Sequence, residues 1–175
     1  SPDVDPADEE AAISLQASTI DGERLYTCTE SEALVYRLPD FEQLARVSLP
    51  LFNDVHHVTP TRAGTMLVAS AGLELVVEVT LDGDVVRLWN VLGEDPWERF
   101  DPDVDYRHVS TKPHRGHPNY VFHLGDEPWA TRFHQGDAVS LTDPSRRIPV
   151  SDRRIHDGIV AGGRIHFSVV DGTIA

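Results

Sequence analysis

Three histidines recur at nearly the same distance from a glycine turn. His57 and His156 each stand seven residues before a glycine, in "HVTPTRAG" and "HDGIVAGG", and His117 stands eight residues before Gly125. Imidazole acts as a general acid or base, as a nucleophile or, when neutral, as a ligand of divalent metal ions. We therefore take His57, His117 and His156 as candidate catalytic residues and as candidate ligands of a divalent metal whose identity stays open. The alternative is that they are polar residues bonded to water in a wet channel.

Basic residues gather immediately before His117. The segment "STKPHRGHPN" holds Lys112, His114, Arg115 and His117 within six residues of a chain whose net charge is −14. Cations in such a group can hold a sulfate, phosphate or carboxylate, and a solvated basic turn is the alternative. A second basic group precedes His156, with Arg146, Arg147, Arg153 and Arg154. The candidate ligand-binding residues are His56, Lys112, His114, Arg115 and Arg132.

The elements that must position these residues are β-strands. Short runs of Val, Ile, Leu, Thr and Tyr, broken by Gly, Asp and Pro, predict an all-β chain. The turn glycines Gly22, Gly64, Gly125 and Gly163 are 42, 61 and 38 residues apart, and a four-stranded propeller blade takes about 40. We predict a β-propeller made of four-stranded antiparallel blades, about three blades plus the start of a fourth. A β-sandwich is the competing fold.

The predicted organisation follows from these turns. An acidic N-terminal tail (1–10) precedes propeller blades over 11–175, at 11–50, 51–92, 117–151 and 154–175, with a long inserted loop at 93–116. A loop of that length is typical of functional segments. The first strand of each blade lines the central channel, so the three histidines should meet there. Because propellers need about four to eight blades, we expect a second copy or another subunit to complete the ring, unless the chain is part of a longer protein.

One stretch resembles a known kind of blade. "NDVHHVTPTRAGTMLVASAGLELVVEVTLDGDVVRLWN", residues 53–90, is similar to blades of the arylsulfotransferase-like and NHL-type propellers, with weaker echoes in "HPNYVFHL" and "IHDGIV". In those blades a His-Asp or His-His pair precedes a strand and a Gly-centred turn, and "VVEV", "DG" and a Trp follow. The resemblance implies a propeller. It also implies that His57, His117 and His156 would match the channel histidines that arylsulfotransferase-like enzymes use on sulfate esters.

Composition narrows the class of partner. The net charge of −14 argues against binding to nucleic acid and to anionic membranes, and no apolar run is long enough for a membrane helix. Cys28 is the sole cysteine, which fits a reducing compartment, so the cytoplasm is the expected location. A small-molecule ligand is the expected partner.

The leading functional hypothesis is a propeller that binds a small anionic ligand at a histidine-lined channel face. Its chemistry would be group transfer or hydrolysis of a sulfate- or phosphate-type ester. One alternative is a propeller without enzymatic activity that binds another protein. The other is a metal-dependent oxygenase or lyase that uses the histidines as ligands.

Overall fold

In the computed structural model, residues 14–175 are described, and the predicted acidic tail (1–10) lies outside them. The chain forms a series of antiparallel meanders in which each strand pairs with the next one along the sequence. Blade 1 holds β1 (Thr19–Asp21), β2 (Arg24–Cys28), β3 (Ala33–Arg37) and β4 (Glu42–Val47). Blade 2 holds β5 (Val55–Pro60), β6 (Met66–Ser70), β7 (Leu75–Val79) and β8 (Val85–Asn90).

The second half of the chain continues the pattern. Blade 3 holds β9 (Pro118–Leu124), β10 (Glu127–Arg132), β11 (Asp137–Ser140) and β12 (Arg147–Pro149). A two-stranded sheet follows, with β13 (Ile155–Ala161) and β14 (Arg164–Val169). Within residues 14–175 the helical structure is one 3₁₀ turn, Ala71–Leu73. The predicted fold class, a propeller of four-stranded antiparallel blades with the start of a fourth, is confirmed.

The blades pack face to face because their strands are apolar on both sides. In β6, Met66 and Val68 join the cluster shared with blade 1, whereas Leu67 and Ala69 join the cluster shared with blade 3. Successive side chains of a strand point to opposite faces, so a strand between two neighbours must be apolar throughout. A third apolar cluster joins blade 3 to β13 and β14. The core is therefore a row of interfaces between blades.

The first strand of each sheet lies at its inner edge, and these strands pack side by side. Polar side chains fix their mutual positions. The His57 ring accepts a hydrogen bond from the Val121 backbone N–H at 3.1 Å, which ties β5 to β9. The Asn119 amide donates to the Ile155 carbonyl at 3.1 Å, which ties β9 to β13. The starts of β5, β9 and β13 are thereby held at one end of the channel.

The long segment between β8 and β9 contains no strand and is fastened to blade 2. The Asn53 amide donates to the carbonyls of Tyr106 and Val109, at 2.5 and 3.0 Å, and its oxygen accepts from the Thr111 hydroxyl at 2.9 Å. The Tyr106 ring is buried in the cluster between blades 1 and 2. Because of these contacts the segment lies across the end of the channel, and His114 and His117 are placed there.

Candidate functional site

A group of histidines forms where three inner strands begin. Asp54 and His56 stand at the start of β5, His117 immediately precedes β9, and His156 is the second residue of β13. The His56 ring centroid lies 4.7 Å from that of His117 and 5.8 Å from that of His156. His114 and His134 lie against His117, at 5.0 and 6.1 Å. We call these five histidines together with Asp54 the histidine cluster.

Irregular pairing turns these side chains toward one another. The β5–β6 register shifts between Val55 and His57, so His56 is the extra residue of a bulge. The β13–β14 register shifts between Ile155 and Gly158, around His156. A bulge bends its strand and re-aims a side chain that regular alternation would place elsewhere. The cluster therefore depends on local departures from ideal strands.

The Asp54 carboxylate is the anionic centre of the cluster. One oxygen lies 3.3 Å from His56 Nε2, and the other lies 3.7 Å from His114 Nδ1 and 3.8 Å from His117 Nδ1. Burial raises the pKa of the Asp54 carboxyl, but the His56 hydrogen bond and the neighbouring imidazoles outweigh it and leave that pKa below its usual value. Asp54 is therefore ionised at neutral pH.

The His114 and His117 rings approach each other through their Nδ1 atoms. Their Nδ1 atoms are 2.8 Å apart, and His114 Nε2 lies 3.1 Å from the Thr111 hydroxyl. Burial lowers the pKa of His114, and burial together with His56, despite the opposing pull of Asp54, lowers the pKa of His117 to about 3. Both rings are neutral at neutral pH, and neutral imidazole is the form that binds metal ions.

The donor set suits a divalent transition metal. Asp54, His56 and His117 each offer one ligand atom, and these atoms all lie within 4.8 Å of one another. His56 Nδ1 is buried and has no hydrogen-bond partner among the residues that the structure describes. Buried polar atoms without partners are rare in folded proteins. Two imidazoles and one carboxylate form a ligand set that binds zinc, iron and related ions.

Glu74 holds the loop that carries His117. Its side chain is 2% exposed, and its carboxylate accepts hydrogen bonds from the backbone N–H groups of Arg115, Gly116 and His117, the last two at 2.6 and 2.8 Å. Three N–H donors on one buried carboxylate fix the path of residues 115–117. Nothing in the sequence around Glu74 signals this role, because its partners are backbone groups about 40 residues away.

An acid–base pair lies at the edge of the cluster. His156 Nδ1 is 3.1 Å from one Asp157 carboxylate oxygen, and the other accepts from the Ser168 hydroxyl at 2.8 Å. The hydrogen bond from His156, against a smaller effect of burial, lowers the pKa of Asp157. The ionised Asp157 accepts a hydrogen bond from His156 Nδ1–H, so the His156 Nε2 carries the lone pair and faces away from Asp157.

The sequence prediction for His57 is wrong in its placement. The ring is fully buried and stacks on Tyr120 at 3.7 Å between centroids. Nδ1 accepts from Val121 N–H and Nε2 lies 2.9 Å from the Thr19 hydroxyl, so both nitrogens are taken by the protein. Burial lowers the pKa of His57 to about 3. The adjacent His56, predicted only as a ligand-binding residue, lies in the cluster instead.

Two arginines predicted to bind a ligand have carboxylate partners of their own. Arg115 pairs with Glu94 at 2.5 Å. Arg132 is buried and pairs with Asp137 at 2.5 Å while donating to the Val91 carbonyl. Neither arginine is free to hold an anion at the cluster, and Lys112 is exposed. Among the predicted residues, the structure brings together His56, His114, His117 and His156.

Asp54, His134 and Phe133 also belong to the site, and they were not among the residues predicted from the sequence. His134 and Phe133 follow β10, and the Phe133 ring lies 5.3 Å from His117 and 5.2 Å from His134. Backbone hydrogen bonds from Phe133 and His134 to His117 and Gly116 bring them there. Asp54 had a detectable signal, since it stands two residues before His56 at the predicted start of a channel strand.

A separate cleft of about 790 Å³ lies at the opposite ends of β5 and β9. It is lined in part by Arg62, Glu78, Trp89 and His123 and shares no residue with the histidine cluster.

No helix in residues 14–175 is both long and apolar enough to cross a membrane.

The fold is that of solved β-propellers. The chain aligns with virginiamycin B lyase from Staphylococcus aureus at 12% identity and a TM-score of 0.58, over 92% of this chain and 54% of that one. It aligns with the Swd1 β-propeller domain from Myceliophteria thermophila at 10% identity and a TM-score of 0.60, over 89% and 50%. For Myxococcus xanthus glutaminyl cyclase the values are 15%, 0.59, 93% and 70%.

These likenesses show the fold alone. No protein-family model matches the sequence, and no curated protein matches it. The chain spans about half the length of the lyase and Swd1 chains. The finer resemblance to arylsulfotransferase-like propellers, the completion of the ring by a second copy or another subunit, and the cytoplasmic location stay predictions.

Proposed function

We propose that the histidine cluster binds a divalent transition metal ion through Asp54, His56 and His117, and that the protein is a metal-dependent hydrolase of a small anionic ester. The observation that carries the proposal is the convergence of the three ligand atoms within 4.8 Å. His56 Nε2 lies 3.3 Å from an Asp54 carboxylate oxygen, so two of the three ligand groups are already adjacent. Three protein ligands leave coordination positions open, as in catalytic metal sites.

The ion would supply a Lewis acid and would lower the pKa of a water molecule. His156 is the base in this proposal, because Asp157 holds the proton on Nδ1 and leaves Nε2 to accept one. In hydrolysis of a phosphate or sulfate ester, the water oxygen bonds to phosphorus or sulfur and the bond to the ester oxygen breaks. The water proton passes to His156 Nε2 and then to the departing alcohol oxygen, so charge and protons balance.

The geometry favours a metal over an anion site made of arginines. Arg115 and Arg132 are each paired with a carboxylate, and the ionised Asp54 at the centre of the cluster would repel an anion. A divalent cation reverses that local charge. The proposed site therefore takes a metal ion first and an anionic ligand second.

Calorimetric titration of metal-free protein with Zn²⁺, Co²⁺ and Mn²⁺ tests the first step. We expect one ion per chain, and loss of binding in Asp54→Asn, His56→Ala and His117→Ala. The matched control is His166→Ala, because His166 is exposed on β14 and should bind the ion as the unchanged protein does. Equal binding by all four variants would contradict the metal site.

Turnover of 4-nitrophenyl phosphate and 4-nitrophenyl sulfate tests the second step. The metal-loaded protein should release 4-nitrophenol from at least one of them, and His156→Ala should lower kcat with little change in metal affinity. Metal binding without turnover of either compound would leave a binding protein and contradict the hydrolase.

A further inference from the structure

One arginine beside the histidine cluster has no carboxylate partner among residues 14–175. Arg154 immediately precedes β13 and is exposed. Its guanidinium carbon lies 5.3 Å from the centre of the Phe133 ring, and its side chain has neither a hydrogen bond nor an ion pair with any residue in the described range.

Arg153, the residue before Arg154, does have a carboxylate partner. Arg153 pairs with Asp171 at 2.5 Å, and the Val170 N–H bonds to the Arg154 carbonyl at 2.9 Å. These contacts fasten the backbone beside Arg154. The strand start is therefore fixed, and the contact that the guanidinium makes within the described part of the chain is the one with Phe133.

Phe133 connects Arg154 to the cluster. The same ring lies 5.3 Å from His117 and 6.4 Å from His156. When a guanidinium lies on the face of an aromatic ring, its N–H groups stay in the guanidinium plane and remain free to donate hydrogen bonds. These groups form a fork that matches the paired oxygens of a carboxylate, phosphate or sulfate. Arg154, the proposed metal ligand His117 and the proposed base His156 therefore all have the Phe133 ring as a neighbour.

We infer that Arg154 is the oxyanion-binding residue of the site and that the ligand carries an anionic oxygen group bound jointly by the metal ion and this guanidinium. The inference rests on the proposed metal site. It moves the anion-binding role from Arg115 and Arg132 to Arg154, which belongs to the second basic group of the sequence but not to the candidate ligand-binding residues. Phe133 positions the guanidinium, and the metal ion offsets the charge of Asp54.

The test is binding of inorganic phosphate, sulfate and acetate to the Co²⁺-loaded protein, followed by calorimetry and the Co²⁺ absorption spectrum. R154Q should weaken binding of the preferred oxyanion about tenfold or more while its Co²⁺ affinity stays that of the unchanged protein. R154K should recover part of the loss, because it restores the charge without the fork. R153Q is the matched control and should bind the oxyanion as before.

The outcomes separate the two proposals. If the unchanged protein does not bind Co²⁺, the metal site fails and this inference fails with it. If Co²⁺ binds but no oxyanion does, or R154Q and R153Q bind the oxyanion equally, only the role of Arg154 is overturned. Dependence on Arg154 for acetate alone assigns a carboxylate ligand, and dependence for phosphate or sulfate assigns a tetrahedral oxyanion. Either result supports the inference.

Discussion

His57 Nδ1 accepts a hydrogen bond from Val121 N–H at 3.1 Å, and this contact joins the inner strands of two blades. The residue before it, His56, faces the histidine cluster. Two adjacent histidines of one strand therefore have different roles, one in the interface between blades and one in the proposed metal site. The bulge between Val55 and His57 lies where these roles divide.

We expect His57→Leu to destabilise the protein by about 1–3 kcal/mol, because the buried Val121 N–H would lose its acceptor. Urea denaturation followed by circular dichroism would measure the change. His108→Leu is the control, since His108 is exposed in the long loop and should shift stability by less than about 0.5 kcal/mol. The folded His57→Leu protein should still bind metal, and loss of metal binding without loss of structure would contradict the placement of His57 outside the site.

Glu74→Gln should weaken metal binding about 10- to 100-fold, the range seen when groups that orient ligands are removed. The neutral amide cannot accept from three backbone N–H groups as the carboxylate does, so the His117 loop loses its anchor. Metal titration of the variant measures the effect. Glu78→Gln on β7 is the comparison, because its carboxylate accepts from the Thr65 hydroxyl and lies outside the cluster. The same metal affinity in both variants would show that Glu74 does not position the site.

Gly72→Ala should displace the long segment between β8 and β9, although residue 72 lies outside that segment. A methyl group at residue 72 would lie 1.8 Å from the Asn53 amide oxygen, which accepts the Thr111 hydroxyl. Asn53 would have to move, and overpacking of this kind costs about 1–3 kcal/mol. Thermal unfolding and metal titration would measure both consequences. Gly125→Ala meets no atom within 4 Å but sits at φ +64°, so it should lose about 1–2 kcal/mol and keep its metal affinity.

The buried Cys28 thiol should make the folded protein less stable at alkaline pH. Burial raises the pKa of its thiol from 9.0 to about 12, so above pH 9 the unfolded chain releases a proton that the folded chain keeps. Folding stability then falls as pH rises from about 9 toward 12, by at most about 1.4 kcal/mol per pH unit. Urea titrations at pH 8, 9 and 10 should show this slope, and Cys28→Ser should reduce it. An unchanged slope in the serine variant would assign the effect to other groups.

Local sequence patterns were sufficient to predict the strands and the fold. Alternating apolar runs and turn glycines such as Gly64 and Gly163 are features of neighbouring residues, and a blade is built from strands that follow one another. The prediction that histidines meet at one end of the channel also followed, because equivalent positions of successive blades surround a common axis. His117 and His156 were placed by that reasoning.

The sequence could not show which histidine of a pair faces the cluster. His56 and His57 are the same residue type on consecutive positions, and a single bulge decides their directions. The partners of Arg115, Arg132 and Glu74 were equally hidden, because each partner becomes a neighbour only when the chain is folded. The sequence alone thus determined the propeller and its histidine-bearing strand starts. The tertiary structure decided the members of the site, because ligand geometry and ion pairing depend on contacts between residues that are distant along the chain.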